Sequence, residues 1–458
     1  MEPGLIAVDE WNCNRKAYFL THLHLDHIDG FSSKWRRGPL YCSALTASLL
    51  AIKFPAFDKT LIHILEVGSP SLVSLGSVEM LLEVTPIEAH HCPGAVMYLF
   101  RGKSGCELYT GDFRWEVQGQ SSRIGKEQLL TALGGEKVLY LHLDNTFCNP
   151  CFEFPPRSVA AEKVVNIILL HPKHDIVIGI DTLGKEELLL HIANTLKIKI
   201  WVRPERLQTM HLLGLPDVFT IDASVTRVRA VPRYSLTLQT LDVLNSMHPT
   251  IGILPTGSSF LFQSTSTEGS FCKNTHLNAA CRKIGGSLDC RIGGERAYTN
   301  ASLMKNCNLG SSKNSVTSID GKLYLVPYSL HCCFPEIRSF IELIRPSHLF
   351  GIVPSTTLNP NIYFSHLCSR KQLYMQDEVH DNTKCISVER DIIRQANHCS
   401  YECKDVLKVH SRTRYNALYN KIVSRAKLRN YISIYSNKVN RYRRKGCGTK
   451  ISHCDNDK

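Results

Sequence analysis

Short apolar runs, each closed by polar residues, dominate residues 1–150. Residues 5–8 (Leu-Ile-Ala-Val), 17–20 (Ala-Tyr-Phe-Leu) and 39–43 (Pro-Leu-Tyr-Cys-Ser) are too short for helices, and they predict buried strands. Further strands are predicted over 78–84, 96–100, 108–113 and 138–143, with a helix over 45–52 capped by Ser43 and a short helix-like segment after Asp29-Gly30. Near residue 150 the texture changes. A helix over 159–171, a strand over 176–180, a helix opening at 181–186 and a strand over 197–202 form an alternating α/β unit, and a strand at 250–255 follows. Residues 257–320, rich in Ser, Gly, Asn, Thr and Cys, predict a flexible insert. A strand over 322–327, a helix over 335–344 and a strand over 348–353 complete the pattern. From 366 the chain is polar and then basic, and no further domain is predicted.

Several predicted strands end in an imidazole or a carboxylate. The run Thr21-His22-Leu23-His24-Leu25-Asp26-His27 follows the second strand and holds three imidazoles and a carboxylate. In extended chain His22 and His24 point the same way, while Asp26 and His27 can curl to a second position. That spacing suits two adjacent cations, because imidazole nitrogen and carboxylate oxygen are both good Zn²⁺ ligands. Asp9 closes the first strand, either as a turn former or as an acceptor that fixes the tautomer of a metal-bound His. The tight loop Ala89-His90-His91-Cys92-Pro93-Gly94 presents two further imidazoles, either of which suits a ligand on local grounds. Thr110-Gly111-Asp112 and Asp144-Asn145-Thr146 repeat the strand-then-carboxylate pattern. Gly184-Lys185 starts a helix, a natural phosphate seat, but the full phosphate-loop pattern of nucleotide hydrolases is absent.

Composition narrows this picture. The apolar fraction of 43% is ordinary for a globular protein, and no apolar run approaches a membrane span. Met1-Glu2-Pro3-Gly4 lacks a basic start and apolar core, so no secretory leader and no membrane partner are expected, and the scattered cysteines are expected to be reduced. Cys272, Cys281, Cys290 and Cys307 are too widely spaced for a tight zinc motif, and Cys148-x-x-Cys151 stands alone. Residues 401–458 hold 15 Lys or Arg against 4 Asp or Glu, a net of +11 out of +13. The preceding body is nearly neutral, so the tail is the part that suits a polyanion.

The words AVDEW, YFLTHLHLDHIDG, PLYCS, HHCPGAVMYLF, LYTGDFR, LDNTFCNP, LGKEELL, HPTIGILPT and PYSLH run in order through the chain. Together they resemble the β-CASP DNA crosslink-repair nucleases of the metallo-β-lactamase superfamily. The resemblance implies an α/β fold: a metallo-β-lactamase four-layer αβ/βα sandwich, two mixed sheets between helices, with an inserted β-CASP α/β domain. It divides the chain into 1–150 (sandwich, first part), 151–256 (β-CASP), 257–320 (flexible insert), 321–365 (sandwich, returning part) and 366–458 (basic tail). His22, His24 and His91 would hold one metal, Asp26, His27 and His331 a second, and Asp112 would bridge both. Zn²⁺ is the implied metal, with Mg²⁺ or Mn²⁺ as the alternative at the second position. Asp26, Asp112 and Asp144 would be the reacting carboxylates, with Asp9 in support. Lys185, Thr256, Tyr328 and Ser329 match the region that receives a terminal 5′ phosphate. The implied activity is 5′-to-3′ exonuclease action in the nucleus, on single-stranded or 5′-phosphorylated DNA, alongside repair or telomere proteins. A β-CASP endonuclease or RNA-processing nuclease is the neighbouring alternative, and a DNA-end-binding scaffold the non-enzymatic one. Leu330 departs from the family, standing where many relatives are acidic.

Overall fold

The period-two pattern of the short strands sends alternate side chains into two different cores. Strands β1 (Ile6–Val8), β2 (Ala17–Phe19), β3 (Leu40–Ser43) and β4 (Ile62–Leu65) form one sheet in that order. Strands β5 (Ser71–Ser74), β6 (Leu81–Glu88), β7 (Val96–Gly102), β8 (Gly105–Tyr109) and β9 (Tyr140–Leu143) join β20 (His348–Gly351) in a second sheet of order β20-β9-β8-β7-β6-β5. Ile6, Val8, Ala17 and Phe19 pack with Val84, Val96, Tyr98 and Phe100 in one cluster. The intervening Ala7, Tyr18, Leu20, Met97, Leu99 and Leu141 turn the other way, into a cluster shared with Leu49, Leu129 and Phe340. Those three residues lie on the helices Ala44–Lys53, Gln120–Leu133 and Phe334–Ile344. The layering is therefore that of a metallo-β-lactamase sandwich. The computed structural model describes residues 4–76, 80–103, 105–116, 120–257, 316–355 and 358–368, and the backbone of 281–284, 287–292 and 295–300.

Strands β10 (Asp175–Ile180), β11 (Ile200–Trp201), β12 (Phe219–Thr220), β13 (Val228–Pro232), β14 (Thr250–Thr256), β18 (Thr317–Ile319) and β19 (Leu323–Pro327) build a third sheet, of order β12-β11-β13-β10-β14-β19-β18. All its pairings are parallel except β18 with β19. Its core takes in Val164 and Ile168 of helix Arg157–Leu170 and Leu188, Leu189 and Ile192 of helix Glu186–Leu196. Strand β19 pairs with β14, so the chain leaves this sheet only after Pro327.

Three expectations change. The first sheet pairs entirely in parallel, so only the second is mixed. The chain after Gly30 is a run of turns, with no helix before β3. Within the predicted flexible insert, β15 (Cys281–Ile284), β16 (Ser287–Ile292) and β17 (Glu295–Asn300) form a three-stranded antiparallel sheet, while 258–280 and 301–315 lie outside the described residues. The basic tail from 369 onward lies outside them as well.

Direction decides where the polar residues meet. Parallel strands β1, β2 and β3 share one carboxyl edge. Strands β6, β8, β9 and β20 run the same way as one another, because β7 is antiparallel to both β6 and β8 and the remaining pairs are parallel. Asp9, His22, His91, Asp112 and Asp144 all lie just beyond these carboxyl ends.

Candidate metal centre

Asp112 is the hub. Its Oδ2 lies 3.2 Å from His27 Nε2, 3.6 Å from His22 Nε2, 3.6 Å from His91 Nε2 and 3.9 Å from His331 Nε2. His24 turns its other nitrogen inward, with Nδ1 3.0 Å from His22 Nε2 and 2.9 Å from His91 Nε2. Asp26 stands at the mouth with its side chain 42% exposed, its Oδ2 3.8 Å from His27 Nε2. Donor atoms of His22, His24, His91 and Cys92 lie within 4.8 Å of one another, as do those of Asp26, His27 and Asp112 and those of His91, Asp112 and His331. All seven predicted ligands are thus brought together. The choice between His90 and His91 falls to His91: His90 adopts φ 52° and turns away, so that a Cβ built on Gly125 would come within 3.1 Å of its Nε2.

The outward nitrogen of each imidazole meets an acceptor. His91 Nδ1 lies 3.0 Å from the Leu330 carbonyl and His24 Nε2 3.3 Å from the Leu183 carbonyl. His27 Nδ1 lies 2.7 Å from Asp9 Oδ2 and His331 Nδ1 2.8 Å from Asp144 Oδ2. His22 Nδ1 lies 3.0 Å from Thr21 Oγ1, whose own proton goes to Asp9 at 2.6 Å. Carbonyls and carboxylates only accept, so each ring carries a proton on the outside, and His22, His24 and His91 bare a lone pair inward. Bare nitrogens 2.9–3.0 Å apart repel one another, and a divalent cation between them removes that repulsion. The donor set therefore fits a bound divalent metal.

Charge agrees with geometry. Burial, followed by the neighbouring imidazoles, holds His22 well below the usual imidazole range, and burial lowers His24 and His91 as well. Burial works against the charge on His27, but Asp112 and Asp9 outweigh it and hold that ring well above the range. Burial works against ionised Asp112 too, and the charges of His27 and His331 hold it well below the carboxylate range. The centre keeps Asp112 ionised and His22, His24 and His91 neutral, the state a cation requires of those four, while a cation at His27 would displace that ring's inner proton.

Asp9 accepts from Thr21 N at 2.8 Å as well as from Thr21 Oγ1 and His27, which repays its φ of 55°. Asp144, predicted among the reacting carboxylates, lies behind His331. Its other oxygen accepts from Thr146 N at 3.0 Å and Thr146 Oγ1 at 2.6 Å, so it orients a ring and does not join the converging donors. Leu330, where the resemblance implies an acidic side chain in many relatives, presents its backbone carbonyl to His91 Nδ1. Thr21, Leu183 and Cys92 were not singled out in the sequence, and Leu330 was noted only as a departure. Three of them act through backbone or a hydroxyl, and Cys92 has only its place beside His91 as a signal.

The predicted phosphate residues lie at the carboxyl edge of the third sheet, the usual location of ligand crevices in α/β sheets. Lys185 is buried and its ammonium contacts Asp181, four residues before it. Arg233, just after β13, reaches Thr256 Oγ1 at 3.1 Å and Asp181 at 3.9 Å, so Lys185 and Thr256 belong to one network through two residues the sequence did not flag. Tyr328 N donates to the Thr256 carbonyl at 3.2 Å, but its side chain lies in the third sheet's core. Ser329 Oγ is engaged with the backbone of His331 at 2.9 and 3.0 Å. The loop carrying Lys185 packs against the metal cluster: a Cβ built on Gly184 would lie 2.4 Å from Leu330 Cδ1 and 3.3 Å from Cys92 Cβ.

Paired sheets with converging His and Asp at their carboxyl edge define the class of metallo-β-lactamase proteins. Residues 215–358 match the family described as DNA repair metallo-beta-lactamase. The chain is 44% identical over 358 residues to 5′ exonuclease Apollo of Gallus gallus and 35% identical over 355 residues to that of Mus musculus. It is 32% identical over 345 residues to DNA cross-link repair protein SNM1 of Arabidopsis thaliana. These alignments cover 77%, 76% and 74% of this chain, which spans 62%, 53% and 60% of those relatives. Over about three quarters of its length the chain is similar to these DNA repair metallo-β-lactamase proteins.

Proposed function

We propose that the protein is a metal-dependent 5′-to-3′ exodeoxyribonuclease of DNA repair. The observation that carries this reading is the set of five imidazoles, each with its outer nitrogen facing an acceptor and its inner nitrogen converging on the space around Asp112. His22, His24 and His91 form the first metal position, a nitrogen-rich set with Cys92 nearby that suits Zn²⁺. Asp26, His27, His331 and the shared Asp112 form the second, where the added carboxylate also admits Mg²⁺ or Mn²⁺. Divalent cations held there would lower the pKa of an attacking water and neutralise the phosphate under attack. Asp26, exposed at the mouth, takes the water's proton. The oxygen adds in line to phosphorus, the bond to the 3′ oxygen breaks, and that oxygen takes a proton from solvent. Asp9 and Asp144 hold His27 and His331 in the tautomer the site needs. Residues 151–256, with the strand at 323–327, serve as the inserted β-CASP part.

Lys185, with Arg233 and Thr256, receives the terminal 5′ phosphate. Fixing the chain end at a set distance from the metals favours removal of terminal nucleotides. The cellular site is the nucleus, and the partners are DNA ends with other repair or telomere proteins. The test is hydrolysis of 5′-phosphorylated and 5′-hydroxyl single strands by wild type and Lys185→Ala. A selective loss on the phosphorylated end supports the pocket, and an equal loss on both assigns Lys185 a structural role only.

A further inference from the structure

The turns after the metal loop fold over Trp11 into a shallow cleft of about 370 Å³, lined by Asn12, Ser32, Lys34, Arg36 and Arg37 against the Trp11 and Trp35 rings. The two indoles meet edge-to-face at 5.6 Å. Trp35 Nε1 donates to the Trp11 carbonyl at 3.1 Å, and Trp11 Nε1 donates to the His27 carbonyl at 2.7 Å. The wall of the cleft is therefore hydrogen-bonded to the backbone of a predicted metal ligand, with one indole between them.

The rim carries three exposed cations in four residues, in a body that is nearly neutral. They are not equivalent. Arg36 lies 3.6 Å from Asp58, bonds the Ser33 and Trp35 carbonyls and covers the Phe57 ring at 5.4 Å. Arg37 bonds only the neutral Asn14 side chain, at 2.8 Å, and Lys34 has no ion-pair partner among the described residues. No carboxylate among the described residues lines the cleft. Two uncompensated cations on an open, polar rim suit the phosphates of an extended polyanion better than a small enclosed ligand.

Position gives this cleft a direction. His24 faces the Leu183 carbonyl, so the loop bearing Lys185 lies at the His24 end of the metal loop. The His27 carbonyl faces Trp11, so the cleft lies at the other end. A strand whose terminal 5′ phosphate sits at Lys185 and whose next phosphate sits over Asp112 continues toward Lys34 and Arg37. We propose that this cleft binds the phosphodiester backbone of the DNA strand on the 3′ side of the bond being cut. The proposal rests on the exonuclease reading for its polarity.

The test compares the full chain with its Lys34→Ala/Arg37→Ala variant, binding 5′-phosphorylated single strands of about 20 nucleotides and a 5′-phosphorylated dinucleotide. Binding is read by fluorescence anisotropy in chelator from about 50 to 200 mM salt, so no cleavage is required. Two lost phosphate contacts flatten the log–log salt slope by about 1.4, at about 0.7 per charge on single strands. The long substrate's KM rises while kcat and the dinucleotide's KM stay unchanged. An unchanged slope, or equal losses on both lengths, overturns the proposal. A slope change on RNA and not on DNA overturns the DNA assignment. A wild type that cuts DNA with an unaltered variant slope refutes the cleft and leaves the nuclease reading intact. A wild type that binds through Lys34 and Arg37 yet cuts nothing refutes the nuclease reading.

Discussion

Asp144→Asn separates orientation from ligation at the second metal position. In the wild type Asp144 Oδ2 takes the Nδ1 proton of buried His331 at 2.8 Å, while Oδ1 is held by Thr146 N and Oγ1. Asparagine keeps the volume, and its oxygen satisfies Thr146. That leaves the amide NH₂ facing the His331 N–H, donor against donor. The ring relieves the clash by moving its proton to Nε2, the nitrogen that faces Asp112 at 3.9 Å, and this removes a lone pair from the centre. A charge-assisted hydrogen bond of this kind contributes about 1.5–3 kcal/mol. Loss of a carboxylate behind a metal-bound His costs about 10- to 100-fold in metal affinity, or about 1.4–2.7 kcal/mol. The two figures agree. Titration of metal-free protein with Zn²⁺ against a competing chelator should show one site weakened by that factor and the other unchanged, with the fold retained by circular dichroism. Both affinities within about threefold of wild type would refute the tautomer argument.

Gly184→Ala should destabilise the protein by roughly 2–5 kcal/mol, because φ is 101° and the new methyl meets Leu330 and Cys92; thermal unfolding reads it, and an unchanged midpoint contradicts the packing. Burial between Tyr109 and Phe350 pushes His142 down to about 4, despite Glu107 at 3.6 Å. Its neutral-ring stability is complete above about pH 6.5 and is lost as pH falls through 6.5 toward 4, on the order of 3 kcal/mol. His142→Gln should flatten denaturant-measured stability across that window, and an identical slope would contradict the burial argument. Deleting 401–458, which carries a net +11, should raise KM for DNA and flatten its salt dependence without changing kcat. An unaltered salt slope would remove the tail from DNA binding.

The residues that converge on Asp112 were legible because they sit in short words at strand ends, where a polar residue after an apolar run has few structural uses. Ser43, read as a helix cap, accepts from Thr46 N in that role. The second layer was less legible. Leu183 and Leu330 act through carbonyls, which the identity of a side chain does not encode. Helix Gln120–Leu133 escaped because its apolar pattern is weak: Leu129 and Leu133 are buried, but Ile124 and Leu130 are exposed and Gly125 interrupts it. Strand Val228–Pro232 was hidden by Arg229, a buried cation in its middle that pairs with Asp175 at 2.8 Å. Nothing in the sequence places Trp11 and Trp35 against His27.

The central claim is that Asp112 and the imidazoles around it form a metal centre that cuts DNA from its 5′ end. The most direct measurement is a time course of 5′-phosphorylated, 3′-labelled single-stranded DNA with wild type and Asp112→Asn, with chelator and after divalent metal is restored. Stepwise shortening from the 5′ end should stop with chelator, return with metal and fall at least ~100-fold in Asp112→Asn. Undiminished cutting by chelated protein, or by Asp112→Asn, would contradict the account.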